Sequence, residues 1–380
     1  RKKEKKIRIG YYSGDLRKHA VGHLISNMLE LHDKSNFEVF GFYFGKKIVG
    51  KDEVHDRIVA TFDKFIDISL MNDLEVAQLS RNLKIDIAID LTVHTGDVNR
   101  FGIFMTKCAP IQVNFLGYPG TSGSNSIDYL IADKNLIPDE NQKFYSEKIV
   151  YLPHTYQPNE FLKKISKKIF TRQELNLPEK GLILCCFNAH QKITPFVFKI
   201  WIKLLKNKKD SVLWLLEDNE ISLKNLKAAA SLEGVEPSRI IFAKRAPLAD
   251  HLARHKVADL FLDTFPYTAH TTGSDSLRSG VPILTCKGDS FASRVSASLL
   301  KATGLEELIT SNHKEYEDMA IKIINDYSYL KEIKLKLQKN KLEKPLFNTK
   351  MFTKNLEKAY SKMYEKYIND EKVENIEIEI

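Results

Sequence analysis

Residues 257–286, VADLFLDTFPYTAHTTGSDSLRSGVPILTC, hold the densest set of groups able to grip an anion. The apolar run Val257–Leu262 has the pattern of a buried strand and ends in Asp263. His270-Thr271-Thr272-Gly273 then opens a short helix, which Gly280 closes before a second buried strand, Val281–Thr285. Strand, loop, helix and strand over so few residues form a βαβ unit, with the helix starting at the carboxyl end of the sheet. Its first turn offers unpaired N–H groups and a partial positive charge, which is what a phosphate needs. Thr271 and Thr272 add hydroxyl donors, His270 adds a ring N–H, and Asp275 can accept from a sugar hydroxyl. The spacing Thr272-x-x-Asp275 also fits a plain capping box.

Other loops that follow apolar runs carry further candidates. In FNAHQKITP (187–195), Thr194 can cap a helix with Pro195 at its first position, so Lys192 lies beside a helix start. A cation there can neutralise a diphosphate and stabilise a departing nucleoside diphosphate; the alternative is an ordinary surface lysine before a cap. The loop AKRAP (243–247) can offer backbone groups to a base, and the helix after it carries His251 and Arg254. In the first half, GYPGTSG (117–123) follows a strand, and its glycines either admit a ligand close to the backbone or simply make a turn. His19 and His94 both sit in loops at the carboxyl edge of that half's strands. No D-x-D pair occurs, although a diphosphate held through a metal needs clustered carboxylates. Lys192 and the helix start at Thr271–Gly273 would have to do that work, so the expectation is metal-independent chemistry with no metal ligands and no cofactor beyond the donor.

These loops need elements to hold them. A chain of 380 residues exceeds one ordinary core, so two domains are expected. Strand-like runs separated by helical stretches fill the first part, as in Ile7–Ser13, Phe37–Phe44, Ile85–Leu91 and Ile111–Leu116. The alternation restarts at Leu182 and indicates mostly parallel sheets covered on both faces. The expected division is a Rossmann-like domain over 1–155, a lysine- and proline-bearing linker over 156–180, and a second Rossmann-like domain over 181–345. A C-terminal helix over 346–368 could fold back across both domains, and a polar tail, 369–380, is expected to fray. Two such domains in tandem suggest an α/β architecture facing a cleft, with a nucleotide on one side and an acceptor on the other.

Bulk properties exclude other classes. No apolar run is long enough to span a bilayer, and no signal-peptide pattern opens the chain. The four cysteines lack metal-ligand spacing, which points to a reduced, cytoplasmic protein. The net charge of +9 is spread over helix faces with no aromatic-interleaved basic motif, so nucleic acid is not an expected partner. Such charge would help to steer an acidic nucleotide sugar.

Taken in order, YYSGDLRKHAVGHL, DLTVHTGDVNRFGIF, APIQVNFLGYPGTSG, YSEKIVYLPHTYQPN, CCFNAHQKITP, SVLWLLEDN, RIIFAKRAPLADHLARH, ADLFLDTFPYTAHTTGSDSLRSGVP, ASRVSASLL and PLFNTKMFT resemble the catalytic region of the O-linked N-acetylglucosamine transferase and SPINDLY family, from about Ile7 to Tyr367. The resemblance implies a GT-B fold and an inverting transfer of a sugar, chiefly N-acetylglucosamine from UDP-GlcNAc, to Ser or Thr of acceptor proteins. By position it implies that His19 is a catalytic-side histidine and that Lys192 sits on the donor diphosphate. Thr271 and Thr272 would meet the phosphates and Asp275 the ribose. It further implies nucleotide contacts for His251, His270 and the backbone of Ala246, and places Gly120 near the transferred sugar. The human-type pattern has Asn-Gly-Tyr-Thr at 92–95, Gln and Tyr at 189 and 191, and Lys at 248. Here those positions are Thr92-Val93-His94-Thr95, Ala189, Gln191 and Leu248. These departures keep a GDP-fucose-dependent O-fucosyltransferase, an Asn-directed glucosyltransferase and a non-catalytic sugar-nucleotide-binding scaffold as alternatives. Family members commonly carry TPR repeats before this region, and the start at Arg1 leads to the expectation of such an upstream module.

Overall fold

The fold comes from a computed structural model that describes residues 6–96, 99–160 and 163–379. Most of the basic run RKKEKK and two residues of the TGDVNR loop lie outside the described residues. In chain order the strands begin with β1 (Ile7–Ser13), β2 (Phe37–Tyr43), β3 (Lys64–Asp67), β4 (Ile87–Asp90), β5 (Ile111–Asn114), β6 (Tyr129–Ala132) and β7 (Lys148–Tyr151). They continue with β8 (Ile183–Cys186), β9 (Val212–Leu216), β10 (Ile240–Ala243), β11 (Leu260–Leu262), β12 (Ile283–Cys286), β13 (Ile309–Thr310) and β14 (Ile376–Glu377). The helices are α1 (Ala20–Glu30), α2 (Glu53–Val59), α3 (Asp73–Asn82), α4 (Gly102–Met105), α5 (Pro195–Asn207) and α6 (Glu220–Leu232). The remainder are α7 (Leu248–His255), α8 (Thr271–Ser279), α9 (Val295–Thr303), α10 (His313–Asn325), α11 (Tyr327–Glu343) and α12 (Thr349–Ile368).

The chain forms two compact units, Arg1–Phe161 with Pro345–Ile380, and Leu162–Lys344. The first holds an eight-stranded sheet in the order β14-β7-β6-β5-β4-β1-β2-β3, and the second a six-stranded sheet in the order β10-β9-β8-β11-β12-β13. All the pairings are parallel. A parallel sheet must be covered on both faces, which is why β4, β8 and β11 are buried along their whole lengths. In each sheet the strand order reverses once, between β1 and β4 and between β8 and β11. At such a reversal the flanking loops part in opposite directions and leave a crevice at the carboxyl ends, where α/β sheets bind ligands.

Helix α12 joins the first unit through polar as well as apolar contacts. Tyr11 Oη lies 3.0 Å from Tyr360 Oη and 2.8 Å from His32 Nε2, and His32 Nδ1 lies 2.9 Å from Glu357 Oε1. All three rings are buried, so this chain of hydrogen bonds satisfies groups that water cannot reach. The polar tail, expected to fray, instead ends in β14, which pairs with β7 in the register Ile376↔Val150. Ile376 and Ile378 bury their side chains there, and Asn375 Oδ1 accepts from Ile149 N at 2.8 Å. Two isoleucines against a sheet edge outweigh the polar composition around them. Leu356, fully buried on α12, tests how much the first unit depends on this helix. Leu356→Ala should cost about 2–5 kcal/mol in urea unfolding. A loss well under 1 kcal/mol would show that the helix is dispensable.

Candidate active site

In the second unit the strand reversal puts the loops after β8 and β11 side by side, and a network of buried polar groups ties them together. Asp263, the residue after β11, is fully buried. Its Oδ1 accepts from Thr264 N at 2.8 Å, Ala269 N at 2.7 Å and Asn188 Nδ2 at 3.2 Å; its Oδ2 accepts from Thr285 Oγ1 at 2.7 Å. Burial pushes this carboxyl above its ordinary range, against these hydrogen bonds and the positive charge of Lys192. Asn188, just after β8, also donates to Thr264 Oγ1 at 2.8 Å and accepts from Thr272 Oγ1. The loop that delivers the start of α8 is therefore anchored at both ends.

This arrangement decides between the two readings of Thr272-x-x-Asp275. His270 is the residue before α8 and makes no side-chain cap, and the Thr272 hydroxyl is committed to Asn188, so there is no capping box. The amides of Gly273 and Ser274 return to His270 O at 3.0 and 3.1 Å. Those of Thr271 and Thr272 have no acceptor among the described residues. They point out of the helix start, as an anion site requires. At the other end, Gly280 sits at φ 85°, a left-handed conformation that an L side chain rarely adopts.

Lys192 is not an ordinary surface lysine. Its Nζ donates to Thr268 O at 3.0 Å and lies 3.9 Å from the centre of the Tyr267 ring, which stacks on His270 at 4.9 Å. Burial pushes the ammonium down to about 8, while the charge of Asp263 acts to hold it up. Thus the lysine is held against the loop that leads into α8, next to the free amides. On α7, His251 Nδ1 accepts from Arg254 Nε at 3.1 Å, and Arg254 Nη1 donates to Lys244 O. This keeps the AKRAP loop in place, with Ala246 exposed on it. Asp275 lies one turn along α8 from Thr271, and Lys163 occupies one of its oxygens.

The first unit places His19 and Gly120 on different loops. His19 caps α1: its Nδ1 accepts from Val21 N at 3.3 Å and lies 3.6 Å from Asp15 Oδ2. A ring whose Nδ1 accepts from the backbone keeps Nε2 for other contacts. Gly120 belongs to the 117–123 loop, which a buried carboxylate organises. Glu147 Oε1 accepts from Ser122 N at 2.6 Å, Glu147 Oε2 accepts from Thr121 Oγ1 at 2.6 Å, and Asn114 Nδ2 donates to Gly120 O at 3.0 Å. Burial works against the charge, but these hydrogen bonds hold the carboxyl below its ordinary value. A Cβ on Gly117 would stand 1.8 Å from Leu91 O, so only glycine fits where this loop crosses the one after β4. His94 braces the same loop, with Nε2 at 2.9 Å from Ser122 O and its ring edge-on to Tyr118.

Lys192, His270, Thr271 and Thr272 are thus brought together at one sheet edge, with His251 and Asp275 on the neighbouring helices. Sequence reasoning passed over Asn188, Tyr267, Lys163 and Glu147. Asn188 stands directly after a buried strand, as Asp263 does, and that position was a usable signal. Lys163 is one of many lysines in its segment and carried none. Among the described residues, no group of three or more His, Cys, Asp or Glu side chains is placed to hold a metal ion. None of the described helices is long and apolar enough to cross a membrane.

The model of glycosyl transferase family 41 matches residues 1–169 and 159–356. A probable UDP-N-acetylglucosamine–peptide N-acetylglucosaminyltransferase SEC of Arabidopsis thaliana is 34% identical over 380 residues, covering 98% of this chain and 39% of the relative. A SPINDLY protein of Petunia hybrida, described as the same kind of probable transferase, is 31% identical over 373 residues, with 96% and 39% covered. This chain therefore spans about two fifths of the length of these curated relatives. Among solved structures, a point mutant of the Thermobaculum terrenum O-GlcNAc transferase matches with a TM-score of 0.87 and 30% identity, covering 96% of this chain and 69% of that one. The two parallel-sheet α/β units are those of the GT-B fold.

Burial, more than any neighbouring charge, pushes His251 down to about 4 and His270 down to about 3. Both rings are therefore neutral at physiological pH. Between these values and the ordinary 6.5, the unfolded chain binds more protons than the folded one, so stability falls as pH drops through that window. The imidazole resonances of both residues should stay flat from about pH 8 to about pH 5.5 in NMR titration. A midpoint near 6.5 for either would contradict the burial described.

Proposed function

Because the chain belongs to glycosyl transferase family 41, we propose that it transfers N-acetylglucosamine from UDP-N-acetylglucosamine to Ser or Thr hydroxyls of proteins, with inversion and without a metal ion. The observation that carries this reading is the desolvated Lys192 ammonium, held against the loop that presents the free amides of Thr271 and Thr272. When the acceptor oxygen bonds to the anomeric carbon, the bond from that carbon to the β-phosphate oxygen breaks and negative charge collects on the leaving UDP. Fixed positive ends in a site of low polarity stabilise such charge without reorganising, and this is usually the largest single contribution to catalysis. The transferase names of the relatives support the donor and the protein acceptor.

Within this reading the roles divide by chemistry. Lys192 and the α8 amides hold the diphosphate, joined by the Thr271 hydroxyl. Neutral His251 and the backbone at Ala246 form the base-binding side, and Asp275 accepts from the ribose. His270 is neutral and stacked under Tyr267, so it supplies shape and a polar edge without adding charge. In the first unit, His19 orients the acceptor or the sugar through Nε2, because its other nitrogen caps α1. The loop of Gly120 supplies a close backbone approach for the sugar. The full-length protein is read as a soluble, cytoplasmic enzyme whose acceptors are proteins, with a TPR module as an accompanying segment.

The depressed pKa of Lys192 gives a test with a sign. From about 8 to the ordinary 10.5 the unfolded lysine still holds its proton while the folded one does not. Stability therefore rises with pH through that window, and at neutral pH the buried charge is a cost to the fold. Lys192→Met should leave the melting temperature at pH 7 unchanged or higher, while transfer from UDP-N-acetylglucosamine falls about a hundredfold or more. Added chelator should leave wild-type turnover unchanged. Full transfer by the variant would remove the lysine from its role. A thermal shift with GDP-fucose but none with UDP would favour fucosyl transfer instead.

A further inference from the structure

Lys163 belongs to no helix or strand, yet its side chain is only 8% exposed and pairs with that of Asp275, which is 10% exposed. The segment is held against the start of α7 by Ser166 N, which donates to Ala249 O at 3.0 Å. His251 on α7 feels both charges, Asp275 favouring its proton and Lys163 opposing it. The pair thus stands between α7 and α8, on the side where the candidate nucleotide site lies.

Two facts about the pair decide what it can do. First, a nearly buried carboxylate whose partner is removed keeps its desolvation cost with nothing to offset it. Second, Lys163 occupies Oδ1, and Oδ2 carries no donor among the described residues. A carboxylate has lone pairs on both oxygens, so it can hold the ammonium with one and accept a hydroxyl with the other. Thr271 and Asp275 are four residues apart on α8 and share a face, so an anion held at the helix start has the Asp275 carboxylate on its side of the helix.

We propose that Lys163 is a positioning residue for ribose recognition: it holds Asp275 turned so that Oδ2 accepts from the ribose diol of the donor nucleotide. This rests on the UDP-sugar reading above and adds to it a residue from outside the βαβ unit. The lysine does not touch the sugar; it acts through Asp275. Its removal should therefore weaken discrimination at the ribose while sparing the diphosphate grip of Lys192 and α8.

The test is calorimetric titration of the whole chain with UDP, 2′-deoxy-UDP, 3′-deoxy-UDP and pyrophosphate. The unaltered protein should prefer UDP to at least one deoxy analogue by about tenfold, the worth of a hydrogen bond to a charged acceptor. Lys163→Met should lose that preference and keep its affinity for pyrophosphate, and Lys163→Arg should restore it. A merely structural lysine would weaken all four ligands together, which would overturn the proposal. An unchanged preference in Lys163→Met, or tighter binding of UDP, would also overturn it, the latter by showing that the lysine competes with the ribose. If Lys163→Met fails to fold, Lys163→Ala, which leaves Oδ1 without its donor, is read against the same outcomes. Absence of UDP binding by the unaltered protein would overturn the functional reading and this inference with it. Binding by the unaltered protein with no effect of the variants would overturn this inference alone.

Discussion

The second unit depends on one buried carboxylate. Asp263 follows β11 at the point where the strand order reverses, and the loops after β8 and β11 are tied to it directly or through one neighbour. It fixes both ends of the loop before α8, anchors Asn188 after β8 and accepts from Thr285 on the next strand. A charge in that position is costly, and the fold tolerates it because every lone pair in reach is used and a lysine stands nearby. The arrangement yields rigidity where the chemistry needs it. Lys192 donates to Thr268 O in the same loop that Asp263 holds at Thr264 and Ala269, so one loop carries both the lysine's partner and the start of α8.

The first unit repeats the device with other residues. Asp90 ends β4 at that sheet's reversal and accepts from Thr92 N at 2.8 Å and Val93 N at 2.9 Å. Burial pushes it up to about 6 against those amides. It holds Val93 at φ 50°, a conformation that a β-branched residue avoids, so the loop carrying His94 is strained into place. Glu147 does the same for the glycine-bearing loop beside it. Each sheet therefore fixes its carboxyl-edge loops with buried acids that touch backbone amides.

Charge in the site is concentrated accordingly. His251 and His270 are neutral through burial, and of the nearby cations Arg254 is occupied with His251 and the AKRAP backbone and Lys163 with Asp275. A single desolvated ammonium beside a helix start is a stronger anchor for a diphosphate than several solvated ones, because water does not screen it. It is also a burden on the empty protein. Stability and grip are opposed at this residue, as they often are where a site is built ahead of its ligand.

Much of this was legible in the amino-acid order. The buried runs, the glycine after α8, Thr194 and Pro195 before α5, and the position of Lys192 in a loop after a strand all follow from local rules about pattern, caps and turns. Those rules placed the βαβ unit and its helix start without reference to anything distant. They could not foresee that Thr272 lies inside the helix rather than at its cap and donates to Asn188, 84 residues away. Nor could they foresee that the polar tail ends as a strand, since β7 offers its edge only once the sheet exists. His94 and Lys163 show the same limit: one proved to be a brace and the other a partner for Asp275. Sequence alone determined most of the elements and which residues reach the sheet edges, because hydrogen bonds within a few residues and hydrophobic period set both. Which polar groups pair, and hence which are left free for a ligand, was decided only by tertiary structure, because the energy of a charge or donor depends on how far water is excluded and on what has been brought beside it.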